Sequence, residues 1–431
     1  MSTVASAMDV AEIPEDLDAA DPEQASGSGR GEMERRGVLG RRAQAMDPWL
    51  FFAAIALSAL GLVMVYSAGS WLGHEIYGDW AFFLRRQAIF LAVGIGLMVV
   101  ISRIDYRVLR RFAPHLTFAA MGMLLMVLFA GQEVNGARRW IRLGSFGLQP
   151  SELAKLALAI FLAATLARQG ERIRKFKSGF LPVMIMASLT MLLVLMEKDL
   201  GTTILLGSLT LIMLFVAGTR FSYVAAAVML AAPLIWQQIV GVAYRRGRLE
   251  DFLSGDSYQV HQALIAIGSG GTWGLGLGNG RQKLGFLPEN HTDFILATIG
   301  EELGLVGIAV VLGLVSLLVW RGIMIARCAG DRFGTYLAIG LSSLFGLQAV
   351  VNIAVVLEVI PAKGITLPFL SYGGSSLLAS LAAVGILLSI SRNAAPWRVS
   401  DQRGRRRLRR IKQEPVAQPR NARRPADPLP A

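Results

Sequence analysis

Apolar runs of membrane-spanning length alternate with short polar connections from Pro48 to Ser391. The pattern predicts ten helices, at about 48–69, 84–101, 113–131, 151–168, 179–196, 201–218, 221–241, 294–320, 334–359 and 374–391. A hydrocarbon layer about 30 Å thick takes roughly 20 apolar residues per helical crossing. A helix also satisfies its backbone polar groups within itself, as a lipid environment demands. The expected fold is therefore an all-α integral membrane protein, a polytopic bundle of ten transmembrane helices with a long loop, 242–293, between helices 7 and 8. Residues 1–45 and 393–431 flank this 46–392 membrane domain. The first stretch is acidic and polar, the second basic and proline-containing, and both read as disordered tails.

Composition agrees: 54% of the residues are hydrophobic and only 17% charged, which overrides the soluble multi-domain prior set by 431 residues. The net charge of +13 does not imply nucleic acid, because most of it lies in short loops and the C-terminal tail. Ten crossings put both termini on one side. Arg35, Arg36, Arg41 and Arg42 precede the first run, and the loops on that side carry Arg103, Arg107, Arg168, Arg172, Arg220, Arg321 and Arg327. Basic loops mark the cytoplasmic side, so 132–150, 242–293 and 360–373 face out. The one cysteine, Cys328, excludes an internal disulfide. No cleavable signal peptide is read at the N-terminus.

The outward loops carry cations against the topological bias: Arg138, Arg139, Arg142, Arg245, Arg246, Arg248, Arg281, Lys283 and Lys363. An anionic lipid headgroup or a diphosphate would use them, and solvated loop charge is the bland alternative. The 242–293 loop also holds eight glycines between Gly268 and Gly285, interleaved with Trp273, Leu275, Leu277 and Phe286. That composition suggests a loop with tight turns packed at the membrane surface.

Several constellations carry candidate chemistry. A proline-preceded polar loop ends at Asp293, where an apolar run begins, and a carboxylate at such a boundary is a functional candidate. Glu301 lies about 12 Å along and about 80° around a straight helix from Asp293, and Glu302 about 180° around. Neither can form a close pair with it, and both are expected to brace neighbouring helices. Glu152 and Lys155 share a helix face, either as a self-neutralised pair or with Lys155 aimed at a phosphate. Arg139 offers a guanidinium fork to phosphate oxygens, and Trp140 beside it is either a ligand contact or an interfacial aromatic. Asp199 is expected to cap the sixth helix. In the last outer loop Lys363 and Ser371 are headgroup candidates, with capping of the tenth helix by Ser371 or Ser375 as the alternative. His291 stands beside Asp293, but the four histidines have no metal-ligand spacing.

The stretches Val65-Tyr66-Ser67, Ala137 to Ile141, Pro150-Ser151-Glu152 with Lys155, Asp199 to Thr202, Leu287 to Glu302 and Pro361 to Ser376 together resemble the SEDS family (shape, elongation, division and sporulation). The likeness covers roughly 48–392 and leans to the cell-division branch over the elongation branch. It implies a peptidoglycan glycosyltransferase that polymerises lipid II at the outer face of the bacterial cytoplasmic membrane, at the division septum. It implies Asp293 as the catalytic base, with Trp140 and Lys155 also important. Arg139, Glu152, Arg281, His291, Lys363 and Ser371 complete the expected substrate contacts. The implied partners are a class B penicillin-binding transpeptidase and other divisome membrane proteins. No cofactor is required by the sequence, and a divalent cation, Mg or Mn, is left open. A lipid II flippase is the rival from another class. Two positions depart from the family pattern: Lys198 stands where proline is common, and Glu358 where a small residue is.

Overall fold

The computed structural model describes residues 46–134, 137–143 and 146–394. The two tails expected at 1–45 and 393–431 lie outside these residues, apart from Asn393 and Ala394.

The described residues are mostly helical. Helix α1 spans Pro48–Tyr77, α2 Phe82–Arg103 and α3 Arg107–Ala130. Strands β1 (Gln132–Val134), β2 (Ala137–Leu143) and β3 (Phe146–Leu148) then form a small antiparallel sheet in the order β1-β2-β3. Helices α4 (Pro150–Gln169), α5 (Leu181–Met196), α6 (Leu200–Val216) and α7 (Phe221–Val240) follow. The expected 242–293 loop contains two further helices, α8 (Ala243–Ser254) and α9 (Tyr258–Gly270). The chain closes with α10 (Ile295–Cys328), α11 (Arg332–Val356) and α12 (Gly374–Arg392).

Among the described residues nine helical segments are long and apolar enough to cross a membrane. The predicted 201–218 span corresponds to α6, whose 17 residues give a rise of about 26 Å, a little short of a full hydrocarbon layer. Some helices start at a side-chain cap. Asp47 accepts a hydrogen bond from the Leu50 amide ahead of Pro48, and Asp199 accepts one from Thr202. Lys198 and Glu358 each sit just past a helix end with φ of 63° and 57°. Proline, fixed near −65°, could not take the turn that Lys198 makes.

Helices α4 and α12 form the centre. On α4, Ala154, Ala157, Ala159, Ala163 and Ala164 are buried, and such small side chains let neighbouring backbones approach closely. The apolar α7, by contrast, has no buried residue, as suits a helix that faces lipid.

Helix α10 is interrupted at Gly304 (φ 67°, ψ −164°), and the segment after α9 enters the break. The Leu275 and Gly276 amides donate to the carbonyls of Glu301 and Glu302, each at 3.0 Å. The Leu305 and Val306 amides donate to the carbonyls of Gly271 and Thr272, at 3.0 and 3.2 Å. The backbone groups freed by the break are thus satisfied by protein. A Cβ on Gly304 would collide with the Gly274 main chain, and one on Gly274 with the Glu302 carbonyl. This approach is what the glycine-rich composition provides.

Candidate active site

Asp293 sits in the turn just before α10, and three elements hold it there. The Thr292 and Phe294 amides both donate to the Glu289 carbonyl, at 3.1 and 3.2 Å. Asn352 of α11 donates from Nδ2 to the Asp293 carbonyl at 2.8 Å and to the Ile365 carbonyl at 2.9 Å. The 360–373 loop passes so close that a Cβ on Gly364 would lie 3.1 Å from Asp293 Oδ2. Next to it, the Tyr372 amide donates to the His291 carbonyl at 2.9 Å, and the His291 ring packs between Phe83 and Tyr372. Burial pushes the His291 imidazole below its usual pKa, which favours a neutral ring.

The Asp293 carboxyl is partly exposed, and no hydrogen bond or ion pair to it is present among the described residues. Burial pushes its pKa up to about 7, and the nearby negative charge of Glu289 adds to the rise. Arg248, and more weakly Arg139, oppose it.

Three guanidinium groups converge on this end of the bundle. Arg139 of β2 donates to the carbonyls of Glu197 (3.1 Å) and Lys198 (2.8 Å). Arg245 of α8 donates to the same Lys198 carbonyl at 3.0 Å, and Arg248 to the Ala362 carbonyl at 3.0 Å. Arg248 also stacks on the Tyr244 ring, 4.5 Å from its centroid. Among the described residues none of the three is in an ion pair with a carboxylate. Their partners are neutral carbonyls, so each keeps its charge for an anion. Arg245 and Arg248 stood out in the sequence only as outward cations. Their spacing of three on an unrecognised helix was the signal that could have marked them.

Other expected residues are placed as follows. Trp140 lies on β2, its ring 3.3 Å from where a Gly147 side chain would begin. Lys155 and Glu152 form a buried ion pair at 2.8 Å. Ser371 Oγ accepts from the Leu367 amide at 2.9 Å, which turns the loop rather than caps α12. Ser375 also leaves α12 uncapped and instead bonds Gln149 and Gly147 (3.0 and 3.1 Å). Lys363 is half-buried beside Gly364, and burial lowers its pKa. The Arg281 side chain is exposed, while its amide donates to Glu301 Oε1 at 2.7 Å.

Glu301 and Glu302 do brace neighbours, chiefly the glycine-rich loop rather than adjacent helices. Glu301 also accepts from the Gln282 amide at 3.2 Å. Glu302 takes the Gly278 amide (3.0 Å), Ser67 of α1 (2.7 Å) and the buried Lys283 ammonium (2.8 Å). Lys283, counted among the outward cations, is consumed here. Among the described residues no group of three His, Cys, Asp or Glu side chains could hold a metal ion.

The model of the family described as "Cell cycle protein", which groups FtsW, RodA and SpoVE, matches residues 48–395. A probable peptidoglycan glycosyltransferase FtsW of Trichlorobacter lovleyi is 47% identical over 353 residues, covering 80% of this chain and 93% of the relative. The stage V sporulation protein E of Bacillus subtilis is 39% identical over 80% of this chain and 97% of its own length. Among solved structures, a chain of a peptidoglycan synthase complex that coordinates polymerization and crosslinking aligns with a TM-score of 0.67 at 30% identity. It covers 81% of this chain and 98% of that one. The rod shape determining protein RodA of Thermus thermophilus aligns with a TM-score of 0.62 at 30% identity, over 82% and 98% of the two chains.

Proposed function

Because the chain belongs to the SEDS family of FtsW, RodA and SpoVE, we propose that it is a peptidoglycan glycosyltransferase that lengthens glycan strands from lipid II during septal wall synthesis. The observation that carries the mechanism is the Asp293 carboxyl. It is partly open, lacks a hydrogen-bond partner among the described residues, and is raised to about 7, where a general base works near neutral pH.

Asp293 accepts the proton of the acceptor sugar's 4-hydroxyl as that oxygen attacks the anomeric carbon of the donor. The bond from that carbon to the diphosphate-lipid breaks, and the leaving diphosphate takes the electron pair. Arg139, Arg245 and Arg248 exchange neutral carbonyls for the anionic diphosphate, since charge-assisted hydrogen bonds are roughly twice as strong as neutral ones. Lys363, next to Gly364 in the loop that approaches Asp293, and His291, two residues before it, are taken as further headgroup contacts, together with Trp140, Glu152, Lys155, Arg281 and Ser371. An apolar cleft of about 280 Å³, lined by Ile101, Leu116, Met123, Leu153, Ile160 and Ile386, is suited to a prenyl chain.

The basic loops support a topology with both termini in the cytoplasm and Asp293 at the outer face of the cytoplasmic membrane. Identity to the FtsW relative, 47%, exceeds the 30% to RodA, which favours the division role. The partner is a single-pass class B penicillin-binding transpeptidase, with other divisome membrane proteins.

The break in α10 is the one feature that favours a lipid flippase, since interrupted helices line many transport sites. Here its free amides and carbonyls are taken up by 270–276, which leaves them unavailable to a ligand. Lipid II polymerisation by the purified chain, with and without a class B transpeptidase, tests the reading. Headgroup translocation in liposomes without polymer in either case would favour the flippase.

A further inference from the structure

Glu197 is the buried ionisable group that the reaction leaves unused. It follows the last turn of α5 and is 1% exposed, and neither of its carboxyl oxygens has a hydrogen-bond partner among the described residues. Around it stand the groups that the reaction does use. Arg139, from β2, donates to the main-chain carbonyl of Glu197 itself at 3.1 Å and to the next carbonyl at 2.8 Å. Arg245, from α8, shares that second carbonyl at 3.0 Å. Asp199, on the same connection, is buried and spends its carboxylate capping α6 through the Thr202 amide (2.9 Å) and hydroxyl (2.8 Å). Lys198 lies between the two acids in sequence. The charges of Asp199 and Arg139 both act on Glu197, and the Arg139 guanidinium is already occupied by carbonyls.

An ionised carboxylate in that position would be a buried charge without a hydrogen bond, an arrangement proteins avoid by neutralising the group or pairing it. Arg139 is the cation whose charge acts on this carboxyl. Were it to pair, the guanidinium would turn from the carbonyls and be lost to an incoming anion.

We propose that Glu197 is a positioning residue held as a neutral carboxylic acid, so that Arg139 and Arg245 stay on main-chain carbonyls and available to the substrate diphosphate. The inference rests on the glycosyltransferase reading above and names a control on that same site. Burial, with the Asp199 charge beside it, pushes the Glu197 pKa up to about 8, and Arg139 pulls the other way. The acid is protonated below that value. As pH rises through it, Glu197 ionises and captures Arg139, and substrate affinity falls while Asp293, with its pKa of about 7, is already mostly deprotonated.

Two measurements test this on the full-length protein in nanodiscs. The first is infrared difference spectroscopy between pH 7 and pH 10. Asp293, raised to about 7, contributes a carboxyl band to both proteins; a further component titrating near pH 8 is expected in the wild type and absent from Glu197→Gln, and that component present in both proteins would overturn the assignment. The second is the pH profile of lipid II polymerisation. The wild-type KM should rise as the neutral fraction falls, about tenfold per pH unit well above the pKa, with kcat held. Glu197→Gln, which mimics the neutral acid, should keep the neutral-pH KM and lose the alkaline rise. Superimposable KM profiles, or a Gln variant already weak at pH 7, would contradict the proposal. A wild type that makes no polymer at any pH would sink the glycosyltransferase reading, while the infrared band still decides the state of Glu197.

Discussion

One amide nitrogen of Asn352 donates to the carbonyls of both Asp293 (2.8 Å) and Ile365 (2.9 Å). A single side chain of α11 thereby ties the turn before α10 to the loop before α12, and the candidate base cannot shift without moving that loop.

Asn352→Leu removes both donors and strands two carbonyls. Each hydrogen bond is worth about 1 kcal/mol net, so a destabilisation of about 2 kcal/mol is expected. The loss should show as a lowered melting temperature in nanodiscs, together with a drop in kcat larger than the change in KM.

The Lys283–Glu302 pair is buried on both sides and holds the glycine-rich loop to α10. Removing one partner leaves the other charge buried and unpaired, at a cost of about 3–5 kcal/mol. Lys283→Met alone should therefore be severe. The double variant Lys283→Met with Glu302→Gln should recover a large part of the loss, as measured by thermal unfolding. Equal damage in the single and double variants would rule out the charge argument.

Gly304→Ala should destabilise by more than 1 kcal/mol, because the position combines positive φ with a main-chain collision. Gly313, whose Cβ would meet nothing within 4 Å, is the control, and Gly313→Ala should be neutral or slightly stabilising. Expression level and melting temperature of the two variants give the comparison.

These contrasts also show what the sequence could carry. Hydropathy made the long spans legible, and side-chain type marked Asp199 as a cap and Asp293 as the boundary carboxylate. Helices α8 and α9 were not legible: α8 is polar and has no buried face, so its periodicity is hidden in a loop-like composition. The break at Gly304 was hidden for the opposite reason, since hydropathy runs on unchanged across it. Geometry on a straight helix correctly separated Glu301 and Glu302 from Asp293. It could not show that they reach back to residues 278–283, because that contact exists only once the glycine-rich loop enters α10. Lys155 looked like a cation aimed outward, but pairing with Glu152, one turn away, was equally open from sequence.

The pH dependence follows from Asp293. A base with a pKa of about 7, raised from 3.8, is charged only above that value. The rate kcat/KM should therefore rise with pH through about 7 and fall roughly tenfold for each unit below it. Stability has the opposite sign. The folded state binds this proton more tightly than the unfolded state, so this group's contribution declines as pH rises from about 4 to 7. A pH–rate profile with no acidic limb near 7 would exclude Asp293 as the titrating base.

The most direct measurement is polymer formation from lipid II by the Asp293→Ala protein, reconstituted with its transpeptidase partner and compared on a gel with wild type. The account predicts no glycan strands from a variant that folds and binds its partner normally, a loss of at least the 10²–10⁴-fold that general-base help supplies. Strands of wild-type length and yield from that variant would contradict it.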